Sequence, residues 1–320
     1  MSQSNGLISF LRHYGPIPAG DNMYDELIQE EIERHAIDPV IHISPAKLDE
    51  VKNNFESAKP RNVVLTGTAG DGKTFHCRQI WIAFGGDPDH WNAGEKVVSL
   101  TLPASRKTLI IVKDLSELTH EEKTNVFNGL AHAVTDASAE NIYLVAANDG
   151  QLLASWRDWS DNQGEQEHRI FKTVEDMLVE ERIEDESLNL YLFNLSRLDA
   201  SSHFHEIIEQ IVEHPQWSNC AGCDLLGDDG STTCPIRLNR ERLRKSGDGE
   251  VFRKRLGELM TLARANRMHV PIRDLLLLSV NVLLGDRQSG RILLTCRSVH
   301  IPAHHEHLFR TNVNTDSGST

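Results

Sequence analysis

Few stretches of this chain constrain its fold as tightly as Val63-Val64-Leu65-Thr66-Gly67-Thr68-Ala69-Gly70-Asp71-Gly72-Lys73-Thr74. The apolar run at its start reads as a buried strand. Thr74 to Phe84 reads as a helix closed by Gly85-Gly86. Between them Gly67 and Gly72, followed by Lys73 and Thr74, fit the pattern G-x-x-x-x-G-K-[ST]. The residue types dictate the chemistry. Glycines let the backbone of Gly67, Thr68, Ala69, Gly70, Asp71 and Gly72 curl so that several N–H groups point inward, and a helix N-terminus behind the loop adds partial positive charge. Lys73 has the reach to contact β- and γ-phosphates, and the Thr74 hydroxyl can ligate Mg²⁺. The stretch predicts a strand, loop and helix that bind a nucleoside triphosphate.

The 320 residues suffice for one large or two small domains with a real core. No apolar run reaches the roughly 20 residues needed to cross a bilayer, so no membrane partner is expected. Met1 to Gly6 lacks the basic start and apolar core of a signal peptide, which makes the cytoplasm the expected location. Five cysteines without an export signal argue against a disulfide framework. A net charge of −14 excludes bulk attraction to nucleic acid, though it leaves room for local basic patches.

Along the chain, residues 1–58 form an N-terminal helical segment. Asp21 to His35 has helical spacing, and Pro45 to Phe55 reads as a second helix with Ser44 as its N-cap. Residues 59–200 alternate strand and helix, which predicts an α/β fold with a parallel five-stranded sheet between helices. The strands fall at Asn62–Thr66, Val97–Leu102, Thr108–Val112, Ile142–Ala147 and Leu188–Leu195. Helices are expected from about Thr119 to Asp136 and from Glu165 to Glu184. Residues 201–249 hold a cysteine-bearing insertion rich in Gly and Asp, and 250–311 are helical again. The polar stretch 312–320 reads as a disordered tail.

Two strand ends carry chemistry. Leu109-Ile110-Ile111-Val112-Lys113-Asp114-Leu115-Ser116-Glu117 looks like a Walker B strand, where a carboxylate holds Mg²⁺ and a second polarises the attacking water. The acids are not adjacent here. Either Asp114 holds the metal and Glu117 activates water, which is the preferred assignment because metal binding needs the carboxylate more strictly, or Asp114 itself activates water. The fourth strand ends in Ala146-Ala147-Asn148-Asp149-Gly150. Asn148 can donate and accept at once, and so can orient a water beside the γ-phosphate.

Together these residues resemble the AAA+ and related additional-strand P-loop ATPases over roughly residues 45–290. Gly67–Thr74 matches Walker A, Asp114 matches Walker B, and Asn148 matches sensor 1. The resemblance implies a three-layer P-loop sandwich with a C-terminal helical lid, ATP and Mg²⁺ as ligands, and a homo-oligomer. Val270-Pro271-Ile272-Arg273-Asp274 resembles the start of the lid helix, with Arg273 reaching the γ-phosphate. In that class a neighbouring subunit supplies an arginine to the site. Arg182 is the first candidate, followed by Arg169 and Arg197. Within the class, the Gly-Asp-Gly-Lys-Thr loop, the Lys113–Glu117 run, the Ala-Ala-Asn-Asp-Gly strand end and the Cys-Pro-Ile segment are similar to bacterial anti-phage defence ATPases, those of phosphorothioation-dependent restriction (Dpt type). This implies protein subunits of a defence complex as partners, and a chain of this length reads as an ATPase module.

Two further features stand apart. Cys220-Ala221-Gly222-Cys223 followed by Cys234-Pro235-Ile236 supplies three thiolates at zinc spacing, with Cys296 or the nearby His214 as fourth ligand of a structural Zn²⁺. Arg237 to Arg267 is basic within an acidic chain, and is either a contact for nucleic-acid phosphates or an acidic partner, or a solvated lid face. The expected function is an ATPase that drives or signals to a partner. The alternatives are a nucleotide-gated scaffold with little turnover and a nucleic-acid translocase module.

Overall fold

A computed structural model describes residues 5–14, 24–41, 43–45, 47–91, 94–197, 199–221, 223, 225, 234–244 and 248–285. In chain order the elements are α1 Gly6–Leu11, α2 Tyr24–Arg34, α3 Leu48–Glu56, β1 Asn62–Thr66, α4 Lys73–Ala83, α5 Pro88–Trp91, β2 Val97–Thr101, β3 Thr108–Val112, α6 His120–Thr135 and β4 Asn141–Ala146. They continue with α7 Asp149–Ser160, α8 Glu165–Val179, β5 Leu190–Asn194, α9 Ala200–Val212, α10 Pro235–Leu243, α11 Asp248–Ala265 and α12 Ile272–Leu284. Two units emerge: a sheet unit drawn from residues 42–207 and 256–276, and a helical unit drawn from 1–41, 208–255 and 277–320. The expected tail at 312–320 lies outside the described residues. No helix among the described residues is long and apolar enough to cross a membrane.

The sheet unit is α/β, with strand order β2-β3-β4-β1-β5. β4 is inserted between β1 and β3, so the ends of β1, β4 and β3 lie side by side. Four strands run parallel, and the side chains of each strand divide between two helical layers. Val63 and Leu65 of β1 with Ile142 and Leu144 of β4 join Phe55 of α3 and Cys77 and Ile80 of α4. Val64 and Val145 join Phe127, Trp156, Phe171 and Val174 of α6, α7 and α8 on the opposite face. This alternation is the period-two signature of strands buried on both faces. Asn62, fully buried at the start of β1, ties the layers by donating to Ala133 and Asn189 carbonyls and accepting from the Tyr143 N–H.

The expectation of an all-parallel sheet fails at one edge. β2 pairs antiparallel with β3, Val97 opposite Val112 and Thr101 opposite Thr108. The reason is chain length. Residues 102–107 are too few for a crossover, which takes a dozen or more residues. They form a tight turn instead, closed by the Leu102 N–H on the Lys107 carbonyl at 2.9 Å. Two helix readings also change. Asp149–Ser160 is helical and was not anticipated, although Leu152, Trp156 and Trp159 keep helical spacing and are buried. α8 stops at Val179 rather than Glu184, because Glu181 adopts a left-handed conformation and the Arg182 N–H bonds back to the Met177 carbonyl. Ser44 does not cap α3. Lys47 holds that position without a side-chain bond, and the Ser44 hydroxyl donates to Glu206 Oε1 at 2.7 Å.

Trp156 is wholly buried, its ring 5.3 Å from that of Phe127, and its indole nitrogen has no hydrogen-bond partner among the described residues. Trp156→Ala should cost about 3–5 kcal/mol of stability in a denaturant titration. Trp156→Phe should cost only about 1 kcal/mol, since removing an unsatisfied N–H offsets part of the lost packing. Equal losses for the two variants would mean that the indole nitrogen is satisfied in solution.

Candidate functional site

β1 delivers the chain into a loop that only glycines can follow. Gly67 has φ +141°, and a Cβ there would meet Asp71 Oδ2 at 2.6 Å and Ser196 Oγ at 3.1 Å. Gly72 has φ +83° and stands at the N-cap of α4 with no side chain to offer. The first N–H groups of α4, on Lys73, Thr74 and Phe75, have no acceptor within the helix, which leaves a donor-rich, partly positive terminus at the loop.

Lys73 is 7% exposed, and a buried ammonium must be hydrogen-bonded. It donates to the Thr68 carbonyl at 2.6 Å, the Gly67 carbonyl at 3.3 Å and Asn148 Oδ1 at 2.8 Å. Burial lowers its pKa, and the charges of Asp71, Asp114 and Asp149 oppose that shift. Asn148 is thus where its placement at the end of β4 predicts, next to the loop lysine. Thr74 Oγ1 lies 3.4 Å from the Lys113 carbonyl, which sets its hydroxyl beside the end of β3. Asp114 caps the turn Leu115–Glu117, its Oδ1 accepting from the Ser116 N–H at 2.8 Å. The Thr74 hydroxyl and the Asp114 carboxylate are oxygen donors of the kind a divalent ion takes. Lys113, the residue that interrupts the expected acidic pair, is itself buried, its ammonium on the Trp91 carbonyl and 4.3 Å over that indole. Glu117 is half-buried at the end of the turn.

The loop is closed by contacts that sequence spacing does not reveal. Asp71 is 1% exposed, and its Oδ2 accepts from the Thr68 N–H at 2.6 Å, the Thr68 hydroxyl at 3.1 Å and the Ser196 hydroxyl at 2.8 Å. His269 Nε2 lies 2.6 Å from its other oxygen. Arg273 touches the loop through its backbone, whereas the expectation concerned its guanidinium and a γ-phosphate. Its N–H donates to the Gly70 carbonyl at 3.2 Å, and a Cβ on Gly70 would sit 3.0 Å from Arg273 Cβ. Thr68 and Ala69 are exposed at the outer edge. Asp149 is a further carboxylate at the site. Its Oδ1 is buried without a hydrogen-bond partner, and Asn194 donates to Oδ2 at 3.3 Å. The acid next to Asn148 in the sequence was the signal for it.

Other expected residues are engaged locally. Arg182 lies in the turn after α8 and pairs with Glu180 at 2.7 Å and with Asp185. Asp185 is held at about 2 by Ser187 and then by that guanidinium. Arg197 pairs with Glu181 at 2.6 Å, and Arg169 is an exposed partner of Glu165. In the helical unit Cys220 Sγ accepts from Asn5 at 3.2 Å, and Cys234 stands at the N-cap of α10. Cys220, Cys223 and Cys234 do not bring their sulfurs within 4.8 Å of one another, and Cys296 lies outside the described residues. His214 uses both ring nitrogens, Nε2 on the Pro39 carbonyl at 2.8 Å and Nδ1 on the Gln216 N–H at 3.2 Å, so it is not poised as a fourth ligand. The basic stretch is in part internal: Arg240 donates to the Val212 carbonyl, Arg244 forks onto Glu213, and Arg253 is buried against Glu209.

Asp71→Ala should remove a carboxylate that four groups share, leaving the Thr68 N–H only Ser196 Oγ at 3.1 Å as acceptor. The Thr68 amide is expected to exchange with deuterium at least tenfold faster, about 1.4 kcal/mol of lost protection, and His269→Ala should have a smaller effect. An unchanged exchange rate in Asp71→Ala would show that another group closes the loop. No protein-family model matches this chain, and no curated protein or solved structure matches it either.

Proposed function

We propose that this protein is a Mg-ATP-binding P-loop ATPase whose cycle drives or signals to a partner. The observation that carries the reading is Lys73. Its buried ammonium sits at the uncapped start of α4, 2.8 Å from Asn148 at the end of the inserted strand β4. In that position it faces the groups a triphosphate would offer, and the loop carbonyls it now contacts are the partners phosphate oxygens would replace. Thr74 and Asp114 would hold Mg²⁺, which supplies charge neutralisation at the phosphates. Asn148 would orient water. Glu117 or Asp149 would take its proton, Asp149 being the carboxylate adjacent to Asn148 with an orphaned oxygen.

The nucleotide-gated scaffold stands as the second reading, favoured by the Asp114 side chain's engagement as a turn cap and by the missing acid beside it. The translocase reading is weakened by the arginines of the 237–267 stretch that are paired within the protein. A homo-oligomer with Arg182 completing a neighbour's site requires that its pairs with Glu180 and Asp185 break. The setting in phage defence rests on the sequence resemblance.

Lys73→Ala should weaken ATP binding about 10–100-fold in calorimetric titration, the worth of one charge-assisted phosphate contact. Parent-like affinity would refute the site. Turnover then separates the two main readings. Loss of turnover in Asp149→Asn or Glu117→Gln, with ATP binding retained, identifies the base and the enzyme. A parent protein that binds Mg-ATP without hydrolysing it is the scaffold.

A further inference from the structure

In the helical unit, two histidines and a glutamate converge in a group that includes no cysteine. Glu31 lies in the last turn of α2, and His35, four residues on, directly follows that helix. His13 is brought to them by the short turn Arg12–Tyr14 that follows α1. Glu31 is 3% exposed. Its Oε1 is held by Arg34, which leaves Oε2 directed at the two imidazoles. His13 Nε2 lies 3.1 Å and His35 Nε2 3.2 Å from that oxygen. At such distances hydrogen bonds are expected, yet Oε2 has no hydrogen-bond partner among the described residues: neither ring is aligned to donate an N–H to it. A buried carboxylate oxygen flanked by two ring nitrogens that do not donate to it is costly as it stands. The arrangement becomes favourable if all three lone pairs point at a common cation.

We propose that His13 Nε2, Glu31 Oε2 and His35 Nε2 form a binding site for a divalent transition-metal ion of the zinc class. Zinc bonds of about 2.0–2.1 Å at tetrahedral angles place neighbouring ligand atoms about 3.3 Å apart, close to the 3.1 and 3.2 Å seen here. All three ligand atoms lie within 4.8 Å of one another, and this is the one such group among the described residues. Imidazole nitrogen and carboxylate oxygen are zinc donors, and three protein ligands leave one coordination position for water. The His13 side chain is 34% exposed, so the site is reachable from solvent. A bound ion ties the turn after α1 to α2, and it resolves the orphaned oxygen without disturbing the Arg34 pair. The site is independent of the nucleotide reading and of the cysteines.

The test uses the full chain, stripped with a chelator and titrated with zinc. The parent should bind zinc, and His13→Ala/His35→Ala should bind one equivalent less, or bind it at least tenfold more weakly. Cys220→Ser/Cys223→Ser should keep that equivalent. A second readout needs no substitution: diethyl pyrocarbonate modification followed by peptide mass spectrometry. Zinc should slow labelling of His13 and His35 at least tenfold. Zinc binding unchanged by the double histidine substitution, labelling unchanged by zinc, or no zinc bound by the parent would each overturn the proposal.

Discussion

A lysine ammonium taken out of water sets the terms for the sheet unit. Lys73 at 7% exposure needs three acceptors. It finds them in the Thr68 and Gly67 carbonyls and in Asn148. Two of these belong to the loop that leaves β1, and the third stands at the end of β4. The arrangement therefore requires β4 beside β1, a loop that curls back over its own lysine, and a helix that starts without a cap. Each is present. Ligands of open α/β sheets bind at the C-terminal ends of the strands, which is where this constellation lies.

The loop's remaining donors turn on a second buried charge. Asp71 gathers the Thr68 N–H, two hydroxyls and His269 around one carboxylate. Lys73 feels this charge together with those of Asp114 and Asp149. The helix N-terminus at the loop thus gathers one cation among three anions. The excess acid of the whole chain is thus partly concentrated at its most specific position. Arginines such as Arg240, Arg244 and Arg253 bond the helical unit to itself.

Much of this was legible in the residues. The bounds of β1 and β3 follow from their apolar runs, and the place of Asn148 follows from where its strand stops. The antiparallel β2 escaped the sequence reading, although residues 102–107 are too few for a crossover. The helical spacing of Leu152, Trp156 and Trp159 was the signal for α7, which the strand-end reading passed over. What spacing could not reveal was the closure of the loop. Ser196 and His269 lie 125 and 198 positions from Asp71. The cysteine motif shows the converse: thiols at ligand spacing whose sulfurs are not gathered.

The amino-acid sequence by itself determined the local units: a strand, a glycine loop, a helix behind it, and a polar residue after each of two further strands. These depend on backbone freedom, side-chain period and connection length, all of which act over a few residues. Only the tertiary structure decided which distant groups share a carboxylate. Ser196 and His269 on Asp71, and His13 and His35 on Glu31, are meetings of side chains whose chain separation carries no information about their distance. Packing brings them together, and the high cost of leaving a buried charge without partners makes each meeting specific.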